Sequence, residues 1–146
     1  MEINGLPLHP LVVHAAVVFG PLAALGALAY VVLPAWRDRL RWPMLGLALL
    51  GTGAVVAAYF TGKNLLSSRP ELGALELVPA HQERGGQLLW VTLGFGVVAV
   101  VAGLLHSRTG AVRVLLSVLL GVAALGVLAL AVLTGDSGAR AVWEQG

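Results

Sequence analysis

Cysteine is absent from the 146 residues, and Asp, Glu, Lys and Arg together make up only 11% of them, against about 25% in soluble chains. Without cysteine there is no disulfide framework, thiolate metal site, iron–sulfur cluster or C-x-x-C-H haem attachment. Any metal or haem would have to be held by His, carboxylate or Met. The shortage of charge excludes an ordinary soluble enzyme core and a disordered segment. Nine cations spread over short loops, for a net charge of +2, form no basic face, so nucleic acid is not an expected partner. Also missing are a phosphate-cradling glycine loop, an H-E-x-x-H pair and a nucleophile with a paired base, so the chain does not read as an enzyme on its own.

What the chain has is apolar length: 58% of residues are hydrophobic and the mean hydropathy is +0.90. A bilayer core of about 30 Å needs about 20 mostly apolar residues in a helix. Four runs satisfy this: Leu11 to Leu33, Pro43 to Gly62, Gly85 to Leu105 and Val114 to Gly135. The first run lacks the cationic start of a secretory signal peptide and is read as a retained span. The expected fold is therefore all-α: one transmembrane four-helix domain built from two tandem helical hairpins. Gly20-Pro21 should kink the first span.

Lys and Arg favour cytoplasmic loops. The two short turns hold Arg37, Arg39, Arg41, Arg108 and Arg113 against Asp38. The opposite side holds Lys63, Arg69, Arg84 and Arg140 against Glu2, Glu71, Glu76, Glu83, Asp136 and Glu144. The short turns are thus expected in the cytoplasm and both termini outside, with Trp36 and Trp42 as interfacial anchors. Small residues at close-packing spacing suggest interior faces at Ala16, Gly20 and Ala24, Gly53 and Ala57, Thr92 and Gly96, and Ser117 and Gly121.

The hairpins read as an internal repeat: His9 and Thr61-Gly62 in the first correspond to His81 and Thr134-Gly135 in the second, at offsets of 72 and 73 residues. Such a parallel repeat implies a pseudo-two-fold axis along the membrane normal.

Histidines mark the outward ends of the spans. His9, His14 and His81 fall there, whereas His106 lies on the cytoplasmic side and is set aside. A neutral imidazole is a common metal ligand and the usual axial ligand of haem b, and its other nitrogen needs a partner. Thr61, Asn64, Glu83 and Asp136 could supply that second contact. Five residues of helix turn His14 about 140° net away from His9. Both therefore reach one site only if His9 precedes the helix, with Pro10 in the first turn and His14 the first inward-pointing residue. Capping or interfacial hydrogen bonding with no cofactor suits the same residues, as does proton sensing. The segment Leu65 to Pro79 reads as a linker or as an amphipathic piece covering the cluster. Gly135 and Gly138 would allow the tail to turn off its helix and return Asp136 and Arg140 over the bundle mouth.

Gly5-Leu6-Pro7-Leu8-His9-Pro10-Leu11-Val12-Val13-His14, His81 before the third span, and the closing Thr-Gly-x-Ser-Gly-Ala-x-x-Val-Trp together resemble the DUF2231 family of small bacterial membrane proteins, over nearly the whole chain. The resemblance implies a bacterial plasma-membrane location. Through relatives joined to cytochrome-like domains, it also implies haem or redox chemistry. His9, His14 and His81 match the family's recurrent histidines. Relatives with a similar tail often carry His where this chain has Asp136, so a fourth histidine ligand is missing here.

The expected function is an outward-facing histidine cluster. It would bind haem b or a transition metal for electron transfer or cofactor handling, with His14 and His81 as ligands, His9 third and Asp136 behind them. Partners would be the lipid bilayer and a homo-oligomer or redox membrane complex. The rival is a cofactor-free accessory or scaffold subunit, and a transporter is third.

Overall fold

The computed structural model describes residues 2–3 and 6–144. A two-residue antiparallel ladder joins β1 (Glu2–Ile3) to β2 (Leu6–Pro7). After it come helices and their short connections. The helices are α1 (Leu8–Val32), a 3-10 turn at Pro34–Trp36, α2 (Arg37–Ser68), a single turn α3 (Pro70–Gly73), α4 (Val78–Leu104) and α5 (Gly110–Trp143). Four of them are long and apolar enough to cross a membrane, so the chain is an all-helical, four-span protein. At about 1.5 Å per residue, the 32 residues of α2 and the 34 of α5 exceed what a hydrocarbon core of about 30 Å needs. Their last turns carry the polar residues beyond it.

Helix α1 packs on α2, α2 on α4, α4 on α5 and α5 back on α1, closing a ring of four. One end of the ring holds the 3-10 turn and the α4–α5 turn; this is the turn end. The other holds the segment from α2 to α4 and is the crossover end. Both short turns are set by local chemistry. Pro34 starts the 3-10 turn after Leu33, and Gly110 opens α5 at φ +63°, a backbone region where a side chain would strain the chain.

Alanine dominates the core. Ala23, Ala24 and Ala27 of α1, Ala48 of α2, Ala99 and Ala102 of α4 and Ala124 of α5 are buried around Tyr30, Met44, Phe95, Leu120 and Val127. Small side chains bring helix backbones close, the main source of packing energy where lipid is as apolar as leucine. Gly51 is the tightest case: an added Cβ would stand 2.7 Å from the Phe19 carbonyl oxygen and 2.8 Å from Ala23 Cβ. The outer surface carries Leu11, Val17, Leu25, Leu49, Phe60, Val97, Leu119 and Val132, all exposed, as a lipid-facing surface requires.

Three sequence expectations change. On α2 the interior face runs through Met44, Ala48, Gly51 and Val55, so Gly53 and Ala57 face outward; the small-residue spacing was right and its phase was wrong. Helix α2 absorbs Leu65 and Leu66, which shortens the crossover to residues 69–77. The tail does not turn back either, because α5 continues through Gly135 and Gly138 to Trp143. There Asp136 pairs with Arg140 at 3.0 Å, one turn along an exposed helix face.

Candidate functional site

Because α1 starts at Leu8, both His9 and His14 lie on it, and the helical rotation between them decides their fates. His9 turns inward toward α2. Its Nδ1 donates to the Ala58 carbonyl oxygen at 3.0 Å and reaches Thr61 Oγ1 at 3.3 Å. The Thr61 hydroxyl in turn donates to Ala57 O at 2.8 Å and Ala58 O at 3.0 Å. Gly62 leaves room for the ring, since a Cβ there would lie 3.0 Å from His9 Cε1. His14 faces outward, and its Nδ1 bonds back to Pro10 O of its own helix at 2.6 Å. The expectation that His9 precedes the helix and His14 is the first inward residue is therefore corrected.

His81, in the first turn of α4, repeats the His9 arrangement against α5. Its Nδ1 donates to Thr134 O at 3.2 Å and lies 3.3 Å from Ser137 Oγ. The Ser137 hydroxyl donates to Thr134 O at 2.9 Å, and a Cβ on Gly138 would meet His81 Cε1 at 2.9 Å. Each hairpin is thus closed at the crossover end by an imidazole seated on a hydroxyl residue followed by glycine. The true counterpart of Thr61-Gly62 is Ser137-Gly138, not Thr134-Gly135. Thr134 instead corresponds to Ala58, whose carbonyl is the acceptor.

A carbonyl can only accept, so both rings carry their proton on Nδ1 and leave a lone pair on Nε2. Neither Nε2 has a hydrogen-bond partner among the described residues, and neither ranks among the buried polar atoms without one, so each stays accessible. Both rings stand at the crossover end, His9 on α1 and His81 on α4.

The other sequence candidates stand apart. Of these, Thr61 lies against an imidazole, that of His9. Glu83 takes a hydrogen bond from Gln87, Asp136 is held by Arg140, and Asn64 lends its carbonyl to Ser67. Among the described residues no group of three or more His, Asp or Glu side chains could hold a metal ion, so the three-histidine centre and its Asp136 support do not assemble. A shallow cavity of about 350 Å³ opens beside His81, lined by Leu77, Ala80, Arg84, Asp136, Ser137 and Arg140.

The turn end holds a second polar cluster, built on the histidine that the sequence reading set aside. His106 Nε2 donates to Asp38 Oδ1 at 2.7 Å, and its Nδ1 lies 2.9 Å from the Tyr30 hydroxyl. That hydroxyl also reaches Ala102 O at 3.4 Å. Arg37 lies over the Tyr30 ring at 4.7 Å, and Arg41 Nε donates to Gly103 O at 2.9 Å. Ala102 and Gly103 belong to the last turn of α4, whose carbonyls have no helical partner of their own. Side chains of α1 and α2 thus cap α4, and the caps tie one hairpin to the other.

The geometry defines an integral-membrane four-helix protein made of two hairpins, each closed by a docked imidazole. The chain belongs to the DUF2231 family, described as predicted membrane protein, whose profile matches residues 5–146. No curated protein and no solved structure matches it.

Proposed function

We propose that His9 and His81 form a two-imidazole site, one ligand from each hairpin, for a transition-metal centre, either the iron of haem b or a bare ion. Electron transfer or cofactor handling in a bacterial plasma membrane would be its use. The observation that carries this reading is the state of the two rings. Each has Nδ1 committed to a backbone carbonyl and Nε2 unpartnered, as metal-ligating histidines characteristically do. The chemistry of the pair fits an axial ligand set for haem or two positions of a metal whose remaining ligands come from outside the chain. It does not fit a closed structural metal site, which takes about four protein ligands. When bound, the metal would supply one-electron chemistry. The protein's part is to fix both rings in one tautomer and orientation through Ala58, Thr61, Thr134 and Ser137.

The arginine-rich turn end is assigned to the cytoplasm and the imidazole pair to the outer leaflet, on the strength of the Lys and Arg distribution. A homo-oligomer or a larger redox membrane complex would supply the electron partner. The rival reading is a cofactor-free accessory or scaffold subunit in which the imidazoles only clamp the hairpins. The close seat that Gly62 and Gly138 provide for the rings favours it.

Purification from membranes in mild detergent, followed by visible absorption, elemental analysis and titration with haemin, Cu²⁺ and Zn²⁺, separates the two. The metal reading expects binding that His9→Ala or His81→Ala abolishes and His14→Ala leaves intact. Colourless, metal-free protein that binds none of the three leaves the clamp.

A further inference from the structure

At the turn end, a carboxylate, an imidazole and a phenol form one chain from water to the core. Asp38 is 94% exposed, His106 14% and Tyr30 1%. The imidazole has two ways to satisfy this chain. With one proton, on Nε2, it donates to Asp38, and Nδ1 accepts from the Tyr30 hydroxyl at 2.9 Å. With a second proton, Nδ1 becomes the donor, and the phenol hydrogen must turn away from it. The acceptor waiting there is Ala102 O, at 3.4 Å.

Protonation therefore does two things at once. It turns the His106–Asp38 contact into an ion pair, and it redirects the Tyr30 hydroxyl onto the frayed end of α4. Both changes join residues of the first hairpin, Tyr30 and Asp38, to residues of the second, Ala102 and His106. We infer that the Asp38–His106–Tyr30 chain is a proton-operated latch, closing the two hairpins against each other at the turn end when His106 takes its second proton.

Other charges bound this reading. From α1 the group facing His106 is Tyr30, and from α2 it is Asp38. Arg37 lies on the Tyr30 ring and Arg41 on the neighbouring Gly103 carbonyl. Arg108 follows in the α4–α5 turn and Arg113 in the first turn of α5. Among the described residues Asp38 is the one carboxylate bonded to the imidazole. The latch thus draws its response from a single exposed acid, which makes the test specific.

The cysteine-free chain allows spin labels at Ala35→Cys and Ser107→Cys, both exposed turn positions, in the full protein in lipid vesicles. Between about pH 8 and about pH 5.5, where imidazole takes its second proton, the distance distribution is expected to narrow. His106→Gln can still bond both neighbours but gains no charge, so the narrowing should vanish. A distribution equal at the two pH values, or narrowing that survives in His106→Gln, overturns the latch. Should that variant fail to fold, Asp38→Asn at the exposed end serves: the amide keeps the hydrogen bond but cannot form the ion pair, so the narrowing must shrink, and narrowing of undiminished size also overturns the latch.

Discussion

His81 Nδ1 stands 3.3 Å from Ser137 Oγ, the separation that His9 Nδ1 keeps from Thr61 Oγ1. In both hairpins the next residue is a glycine over which the ring lies. Gly138→Ala therefore sets two effects against each other. Alanine stabilises a helix interior by about 1 kcal/mol over glycine, and the displaced ring forfeits a hydrogen bond worth about 1 kcal/mol. The net change in unfolding free energy should stay within about 1 kcal/mol. The His81 Hδ1 resonance, by contrast, should lose its hydrogen-bonded shift and its protection from exchange. A side-chain NMR spectrum in which that proton is unchanged would show that the glycine is not the seat of the ring.

Gly51 and Gly53 lie two residues apart on α2 and should respond oppositely. At Gly51 the new methyl meets backbone, 2.7 Å from Phe19 O, so α1 and α2 must separate. Overpacking of this kind costs about 1–3 kcal/mol. At Gly53 nothing lies within 4 Å, and alanine should be neutral or stabilising by up to about 1 kcal/mol. Reversible unfolding of the two variants in mixed micelles measures the difference; equal destabilisation would contradict the packing face assigned to α2.

The contrast also shows where the sequence stops being legible. Four uncharged runs of spanning length are a composition signal, and they located the helices and hairpins without ambiguity. Gly51 and Gly53 lie on nearly opposite faces of α2, about 160° apart, and small residues on both leave the inward face undetermined. A comparable rotation, about 140°, separates His9 from His14; Pro10 suits any position in the first turn, so the sequence does not fix whether the helix begins before or after His9, and the structure begins it at Leu8. The repeat is visible in the sequence, but Thr134-Gly135 copies the residue types of Thr61-Gly62 more closely than Ser137-Gly138 does, which places its second half one helical turn too early. His106 stands at the arginine-rich turn end, away from the other three histidines. Its tie to Tyr30 spans 76 residues of sequence, and no local pattern announces it. Two tyrosines in the whole chain, one of them at a span end carrying three arginines, were the available clue.

Because the chain contains no cysteine, single-cysteine variants report orientation directly. With the turn end in the cytoplasm, Ala35→Cys should resist a membrane-impermeant maleimide in intact cells and react after permeabilisation. Lys63→Cys, at the crossover end, should react at once. Reaction of Ala35→Cys in intact cells would reverse the orientation and move the imidazole pair to the cytoplasmic leaflet.

Arg37 is buried at 6% exposure, its Nε has no partner, and its guanidinium lies 4.7 Å from the centre of the Tyr30 ring. The stacking is worth about 0.5–2 kcal/mol, while a buried polar atom left unpaired costs about 1–3 kcal/mol. Those terms nearly cancel, so what Arg37 contributes to stability is mainly the packing of its long stem against Tyr30. Arg37→Met, which keeps that volume, should lie within about 1 kcal/mol of the parent. Arg37→Ala, which empties it, should lose about 2 kcal/mol or more. Unfolding measured on detergent-solubilised protein separates the cases. Equal loss in Met and Ala would mean that the charge on the aromatic face, and not the filled space, holds this corner of the bundle.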